Sequence, residues 1–209
     1  MKENQYIQYG CGLSAPKEWR NFDASPTLRF ERIPVVGKMY TRNEARFPDT
    51  IEYGDIVKGL PIANGYCKGV YCSHVLEHLA LQDFRVALKN TFKVLSSGGI
   101  FRLVVPDLEY SIKKYVNDNS SEAAFDFLRE TSLGKEKRAK GVKGFFLEWV
   151  GNSQHLWMWD YNSIEKELAK VGFVNIRRAS FGDATDEMFK YVEKSNRWNN
   201  CLGVECSKP

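Results

Sequence analysis

The stretch Tyr6-Ile7-Gln8-Tyr9-Gly10-Cys11-Gly12 decides the reading of this chain. Two aromatic rings and an isoleucine within four residues suit a buried strand. The glycines that follow let the backbone turn tightly and come close to a bound ligand. A lone Gly-x-Gly is common in ordinary strand-end turns, so its weight rests on what comes after it.

Outward from this turn, short apolar runs alternate with longer stretches, the pattern of strand and crossover units around a parallel sheet. Strands are predicted over residues 6–9, 20–23, 50–53, 69–72 and 100–105. Phe84, Leu88, Phe92 and Leu95 recur at helical spacing and predict a crossover helix, with Gly98-Gly99 as its stop. A second helix is expected to begin at Asp160 or Asn162, with Glu165 three residues after Asn162 as a capping partner. It places Ile164, Leu168 and Val171 on one face and ends at Gly172. Residues 174–176 and 202–204 are expected to close the sheet as an antiparallel pair. The fold class is therefore α/β with a mostly parallel sheet.

Composition narrows the function classes. With 209 residues, 43% of them apolar, the chain suits one domain with an ordinary core. No apolar run reaches the roughly 18 to 20 residues of a membrane span, and the N-terminus lacks the basic-then-apolar layout of a secretion signal, so a cytoplasmic location is expected. Five cysteines without a C-x-x-C pair point to free thiols in a reducing compartment. A net charge of +4 permits an acidic or phosphorylated partner but lacks the basic concentration typical of nucleic-acid binders.

Two acidic residues stand where the predicted sheet places ligands. Asp23 ends the second strand and Asp55 follows the third. A carboxylate at the second strand tip can accept both hydroxyl hydrogens of a ribose, and one at the third can accept from an adenine amino group. The alternative is that both are exposed turn residues. A nicotinamide dinucleotide fits poorly. It wants a third glycine opening a helix and an acid about 20 residues further on, whereas Ser14 replaces that glycine and only residues 13–22 separate Gly12 from Asp23.

In order, the segments Gly10-Cys11-Gly12, Asn21-Phe22-Asp23-Ala24-Ser25-Pro26, Gly54-Asp55-Ile56 with Leu60-Pro61, Tyr71-Cys72-Ser73-His74-Val75-Leu76-Glu77-His78-Leu79 and the run from Gly98-Gly99 to Pro106-Asp107 resemble the small class I methyltransferases of type 11. The resemblance covers residues 6–108. It implies a Rossmann-like sheet and S-adenosylmethionine as cofactor, with Gln8, Gly10, Cys11 and Gly12 near its amino-acid moiety, Asp23 at the ribose, Asp55 and Ile56 at the adenine, and Ser73 and His74 on the methionine side. Downstream, residues 155–160 before a helix ending in Gly172-Phe173 are similar to a subgroup among polysaccharide-biosynthesis enzymes. A small-molecule or glycan-related acceptor follows from that resemblance. The whole chain, 1–209, then reads as one domain with 117–160 as a substrate-covering insertion.

Two departures shape the expectation. Gln8 stands where the family usually carries an acid, which weakens a charge contact to the cofactor ammonium but leaves either end of the amide for hydrogen bonding. The short 13–22 link contains Pro16, so the first helix is expected to be shortened or absent.

His74-Val75-Leu76-Glu77-His78 also matches the H-x-x-E-H zinc-hydrolase pattern. That pattern needs all three residues on one helix and a further ligand, and nothing around Glu148 supports it in that role, so no metal is assigned. In the methyltransferase reading His78 faces the substrate, and His78 or His155 takes the proton of a hydroxyl acceptor while Asp107 orients it. A purely structural hydrogen bond is an equally weighted reading of His78. Within 117–160, Phe125, Phe127, Phe145, Phe146, Trp149, Trp157 and Trp159 are read first as core. Lys135, Lys137, Arg138, Lys140 and Lys143 are read first as a solvated loop and second as a dock for a phosphate-bearing substrate. A different class, a binding protein that keeps the cofactor fold without turnover, stands beside the enzyme reading.

Overall fold

The computed structural model describes residues 5–34, 45–136 and 154–209. Its strands are β1 (Tyr6–Tyr9), β2 (Arg20–Asp23), β3 (Ile51–Tyr53), β4 (Cys67–Ser73), β5 (Leu95–Pro106), β6 (Val174–Ala179) and β7 (Cys201–Ser207). They form a single sheet in the order β3-β2-β1-β4-β5-β7-β6. The first five are parallel, and β7 runs antiparallel to both β5 and β6. The predicted C-terminal pair is therefore present, with β7 inserted between β5 and β6. Strand order reverses between β1 and β4, and such switch points open a crevice at the carboxyl ends of the strands.

Helices connect these strands: α1 (Pro26–Glu31), α2 (Leu81–Val94), α3 (Leu108–Asn117), α4 (Ala123–Glu130) and α5 (Tyr161–Val171). Between β1 and β2 the chain makes turns instead of a helix. The amides of Ser14 and Trp19 close those turns on the carbonyls of Cys11 and Pro16. Leu95 departs from the sequence expectation. It leaves α2 and starts β5, pairing with Cys67, while Gly98 and Gly99 lie inside that strand and do not stop the helix. A Cβ on Gly99 would fall 2.8 Å from the Cys67 carbonyl oxygen, so close strand packing explains the glycine. At α5, Asp160 is the cap, and its partner is Ser163, not Glu165. Gly172 follows the helix at φ +109°, the left-handed conformation glycine adopts without strain.

The two sheet faces are buried differently. Val70 and Cys72 of β4, with Phe101, Leu103 and Val105 of β5, pack with Phe84 and Leu88 of α2 and Ile164 and Leu168 of α5. On the opposite face Tyr71 and Val104 pack with Trp19, Phe189 and Val192, so turns and a short 3-10 segment (Glu187–Tyr191) serve where helices would be usual. The fully buried Phe189 alone contributes about 1.5–3 kcal/mol of apolar burial. Arg102, also fully buried on β5, reaches Glu193, Glu205 and Asp183. Among the described residues no helix is long and apolar enough to cross a membrane. All five cysteines are free thiols.

Candidate functional site

A cavity of about 810 Å³ opens at the carboxyl ends of β1, β2 and β4, the crevice that the strand order creates. Its size lies within the range of small-molecule sites, roughly 300–1,000 Å³. Gln8, Gly10, Cys11, Gly12, Asp23, Asp55, Ile56, Ser73 and His74 all line it, and so does His78.

At the first turn Gly10 and Gly12 both have left-handed backbones, φ +64° and +56°. Their surroundings differ. A Cβ on Gly10 would lie 2.1 Å from Cγ2 of Val75, whereas one on Gly12 would enter open space. Gly10 thus lets β1 dock against the loop after β4, and Gly12 leaves room in the cavity. The Asp23 carboxylate holds the turn from below. One oxygen accepts from the Gly12 amide at 2.9 Å and the other from the Ser25 amide at 2.7 Å. Burial raises the Asp23 pKa, against the two amide bonds that lower it. Each oxygen retains a further acceptor site toward the cavity. Burial, with Asp23 adding, pushes the Cys11 thiol up to about 12, so Cys11 is a neutral wall residue.

Gln8 proves to have one orientation. The Asn21 Nδ2 group donates to the carbonyls of Pro16 and Trp19, which turns Asn21 Oδ1 toward Gln8. Gln8 Nε2 therefore donates to Asn21 Oδ1 at 2.6 Å and to the Ser14 carbonyl at 3.0 Å. Both amide hydrogens are used, which corrects the expectation that either end is available. Oε1 is the end left for a ligand donor. Asp55 accepts from the Val57 amide and lies 3.5 Å from the Lys58 ammonium, while Ile56 is buried under the wall.

The loop after β4 carries the histidines. His74 has φ +54°, a non-glycine residue in the left-handed region, and its ring is fixed on both sides. Nε2 meets the Arg197 carbonyl at 2.9 Å and Nδ1 lies 3.3 Å from Glu77. Burial opposes the charged ring, but Cys201, Glu77 and the Arg197 carbonyl together raise its pKa to about 10. Residues 76–78 form one 3-10 turn, so the single α-helical face that the zinc-hydrolase pattern needs is absent, and His74 is committed elsewhere. Glu148 lies outside the described residues, as do Lys137, Arg138, Lys140, Lys143, Phe145, Phe146 and Trp149.

The remaining candidates separate. His155 stands off the cavity wall, edge-on to His78 with ring centroids 5.0 Å apart. Burial lowers its pKa. Asp107 is also off the wall. Its carboxylate caps α3 through the amides of Glu109 and Tyr110 and lies 3.8 Å from Arg178, so in this structure it serves as a helix cap. Of the insertion aromatics, Trp159 is buried and stacks on Phe84, whereas Phe125 and Trp157 are exposed.

The sequence reading missed the far wall. Val192, Lys194, Asn196 and Arg197, from the stretch preceding β7, line the same cavity. Arg197 reaches the tip of β4, donating through Nε to the Ser73 hydroxyl and through Nη2 to the Ser73 carbonyl. Only a charged, aromatic-bearing stretch between two strands hinted at this.

Residues 9–103 match the family model described as a methyltransferase domain. No curated protein matches by sequence. Three solved structures share the fold. PigF with SAH gives a TM-score of 0.52 at 14% identity, covering 97% of this chain and 50% of that one. A SAM-dependent methyltransferase of Thermotoga maritima, a possible histamine N-methyltransferase, gives 0.52 at 11%, covering 100% and 84%. Phosphoethanolamine N-methyltransferase 2 of Haemonchus contortus, with phosphomonomethylethanolamine and S-adenosylhomocysteine, gives 0.50 at 10%, covering 98% and 48%. The chain thus spans about half the length of the first and third. Residues 9–103 are thus similar to a methyltransferase domain, and the sheet has the Rossmann-like fold of the S-adenosylmethionine-dependent methyltransferases it resembles.

Proposed function

We propose that this chain transfers a methyl group from S-adenosylmethionine to an oxygen or nitrogen of a small-molecule or glycan-related acceptor. The observation that carries the reading is the cavity, whose one wall gathers the glycine turn, Asp23, Asp55, Ile56, Ser73 and His74. The residues suit the cofactor. Gln8 Oε1 and the Gly10-Gly12 turn would hold its amino-acid end, Asp23 its ribose hydroxyls, and Asp55 with Ile56 its adenine. The bound cofactor supplies a methyl group already activated by its sulfonium, so the protein's task is to align the acceptor and exclude water.

His78 is the catalytic candidate on the wall, and His155 acts behind it. We assign Asp107 to the α3 cap. Lys194, exposed on the far wall, favours an anionic acceptor, a phosphorylated one included. The glycan-related class rests on the resemblance of residues 155–172. We read the chain as one domain with 117–160 as a substrate-covering insertion, of which residues 137–153 lie outside the described residues. In support, the amides of Leu156 and Trp157 both bind the Glu77 carbonyl, which seats the end of that segment beside His78. The free thiols accord with a reducing, cytoplasmic setting.

Calorimetry with S-adenosylmethionine and S-adenosylhomocysteine tests the cofactor reading. Wild type is expected to bind both. Because Asp23 also anchors the turn, Asp23→Asn is a better probe than Asp23→Ala, and at least tenfold weaker binding is expected. No binding by the wild type overturns the reading, while equal binding by the variant overturns only the ribose assignment.

A further inference from the structure

Directly behind the cavity wall lies a carboxylate that the proposed methyl transfer does not use. Glu77 is fully buried, and neither oxygen has a hydrogen-bond partner. His74 Nδ1 stands beside Oε1, and Oε2 is left buried with no group of its own, a costly arrangement. Three imidazoles surround the carboxylate, and their nitrogens sort by role. His74 presents Nδ1 to Oε1 at 3.3 Å and is tied on its other side to the Arg197 carbonyl. His78 is tied through Nδ1 to the Gln154 carbonyl at 2.9 Å, so its proton sits there and the lone pair of Nε2, 4.0 Å from Glu77 Oε1, faces inward. His155 stands edge-on to His78, and its buried Nδ1 has no partner.

Glu77, His78 and His155 each offer a ligand atom, and these atoms lie within 4.8 Å of one another. We infer that Glu77, His78 and His155 form a binding site for one divalent transition-metal ion of the zinc class. Two neutral imidazoles and one carboxylate are a donor set this class accepts, at metal–ligand distances of about 2.0–2.2 Å. The Gln154 carbonyl on the far nitrogen of His78 does what outer partners of ligating histidines do, fixing the tautomer and the ring. His74 plays the corresponding part for the carboxylate. The ligands would draw together slightly on binding, and the ion would staple residues 154–157 to the 3-10 turn after β4. This ligand set differs from the H-x-x-E-H pattern because His155, remote in sequence, replaces His74. The site does not depend on the cofactor reading, but an ion on Nε2 occupies the one nitrogen of His78 that a general base would use, so with metal bound His78 is a ligand and not the base.

The test is metal binding by the full chain after chelator treatment and thiol-blocked dialysis. Titration with Zn²⁺ is expected to give one equivalent per chain, with at least tenfold weaker binding in His155→Gln and Glu77→Gln. Co²⁺ is expected to give the visible bands of a low-coordinate site without the intense near-ultraviolet band of a thiolate ligand. Wild-type spectra keep the proposal testable should a variant fold poorly. Absence of stoichiometric binding overturns it. So does a thiolate band, or binding unchanged in His155→Gln. Cofactor calorimetry on His155→Gln separates the two readings, since loss of zinc with cofactor affinity retained leaves the cofactor site standing.

Discussion

Gly10 and Gly12 share a backbone conformation but not an environment, and the difference sets what each substitution does. Alanine at Gly12 meets only the cost of a left-handed backbone, about 1–2 kcal/mol. Alanine at Gly10 adds a steric overlap with the Val75 side chain, 2.1 Å from its Cγ2, so the loop after β4 must shift. We expect Gly10→Ala to lower the urea midpoint by more than Gly12→Ala and to abolish measurable cofactor binding. Val75→Ala in the Gly10→Ala background is expected to restore part of both, and a double-mutant cycle in stability reads the coupling. The glycine turn was legible because strand, turn and acid follow each other within residues 6–23. Val75 was not, since nothing in the sequence says that a residue 65 positions away fills the space above Gly10. The same holds for Gln8, whose orientation depends on how Asn21 is held by two carbonyls.

At the scale of elements, α5 and α2 are joined by a charged pair over an apolar contact. Glu167, nearly buried, takes Arg85 bidentately and Lys170 from its own helix. The Arg85 bond, with Lys170 adding, lowers its pKa to about 2 from an ordinary 4.5 against the opposing effect of burial. A depressed carboxylate contributes stability that is fully present above about pH 4.5 and is lost as pH falls through about 2. Arg85 is partly exposed, so solvent screens the pair and its contribution is well below what the shift alone would suggest. Glu167→Gln should therefore flatten the fall of stability between about pH 5 and 2, measured by urea midpoints at stepped pH. Asp160→Ala, which removes the capping box, should cost about 1 kcal/mol in the same assay at neutral pH. Elements bounded by punctuation were readable, as β1 and β2 show. The boundary between α2 and β5 was not, because Leu95 continues the helical spacing, and it is pairing with Cys67 that draws it into the sheet.

Over the whole molecule, Arg102 organises the side of β4 and β5 that turns and a 3-10 segment cover. Its guanidinium, wholly buried on β5, binds Glu193 and Glu205 together with Asp183 and the Ser180 carbonyl, and lies over the Trp198 ring. These partners come from residues 180–205, so one side chain folds that segment onto the sheet. The same segment supplies Lys194 and Arg197 to the cavity and, through Arg197, grips Ser73 at the tip of β4. This is why the far wall was invisible in sequence: its position is set by contacts between residues 78 to 124 positions apart, with no local pattern. Arg102→Met leaves Glu193 and Glu205 buried with fewer partners, and breaking such a pair costs about 3–5 kcal/mol. Arg102→Met with Glu193→Met removes both charges of the shortest pair and should recover much of the stability, since apolar replacement of a buried pair is often neutral. Cofactor affinity is expected not to recover with it, because Arg197 loses its seating in both variants. Urea unfolding and calorimetry on the same samples decide this, and full recovery of cofactor binding in the double variant would show that the apolar core alone seats the wall.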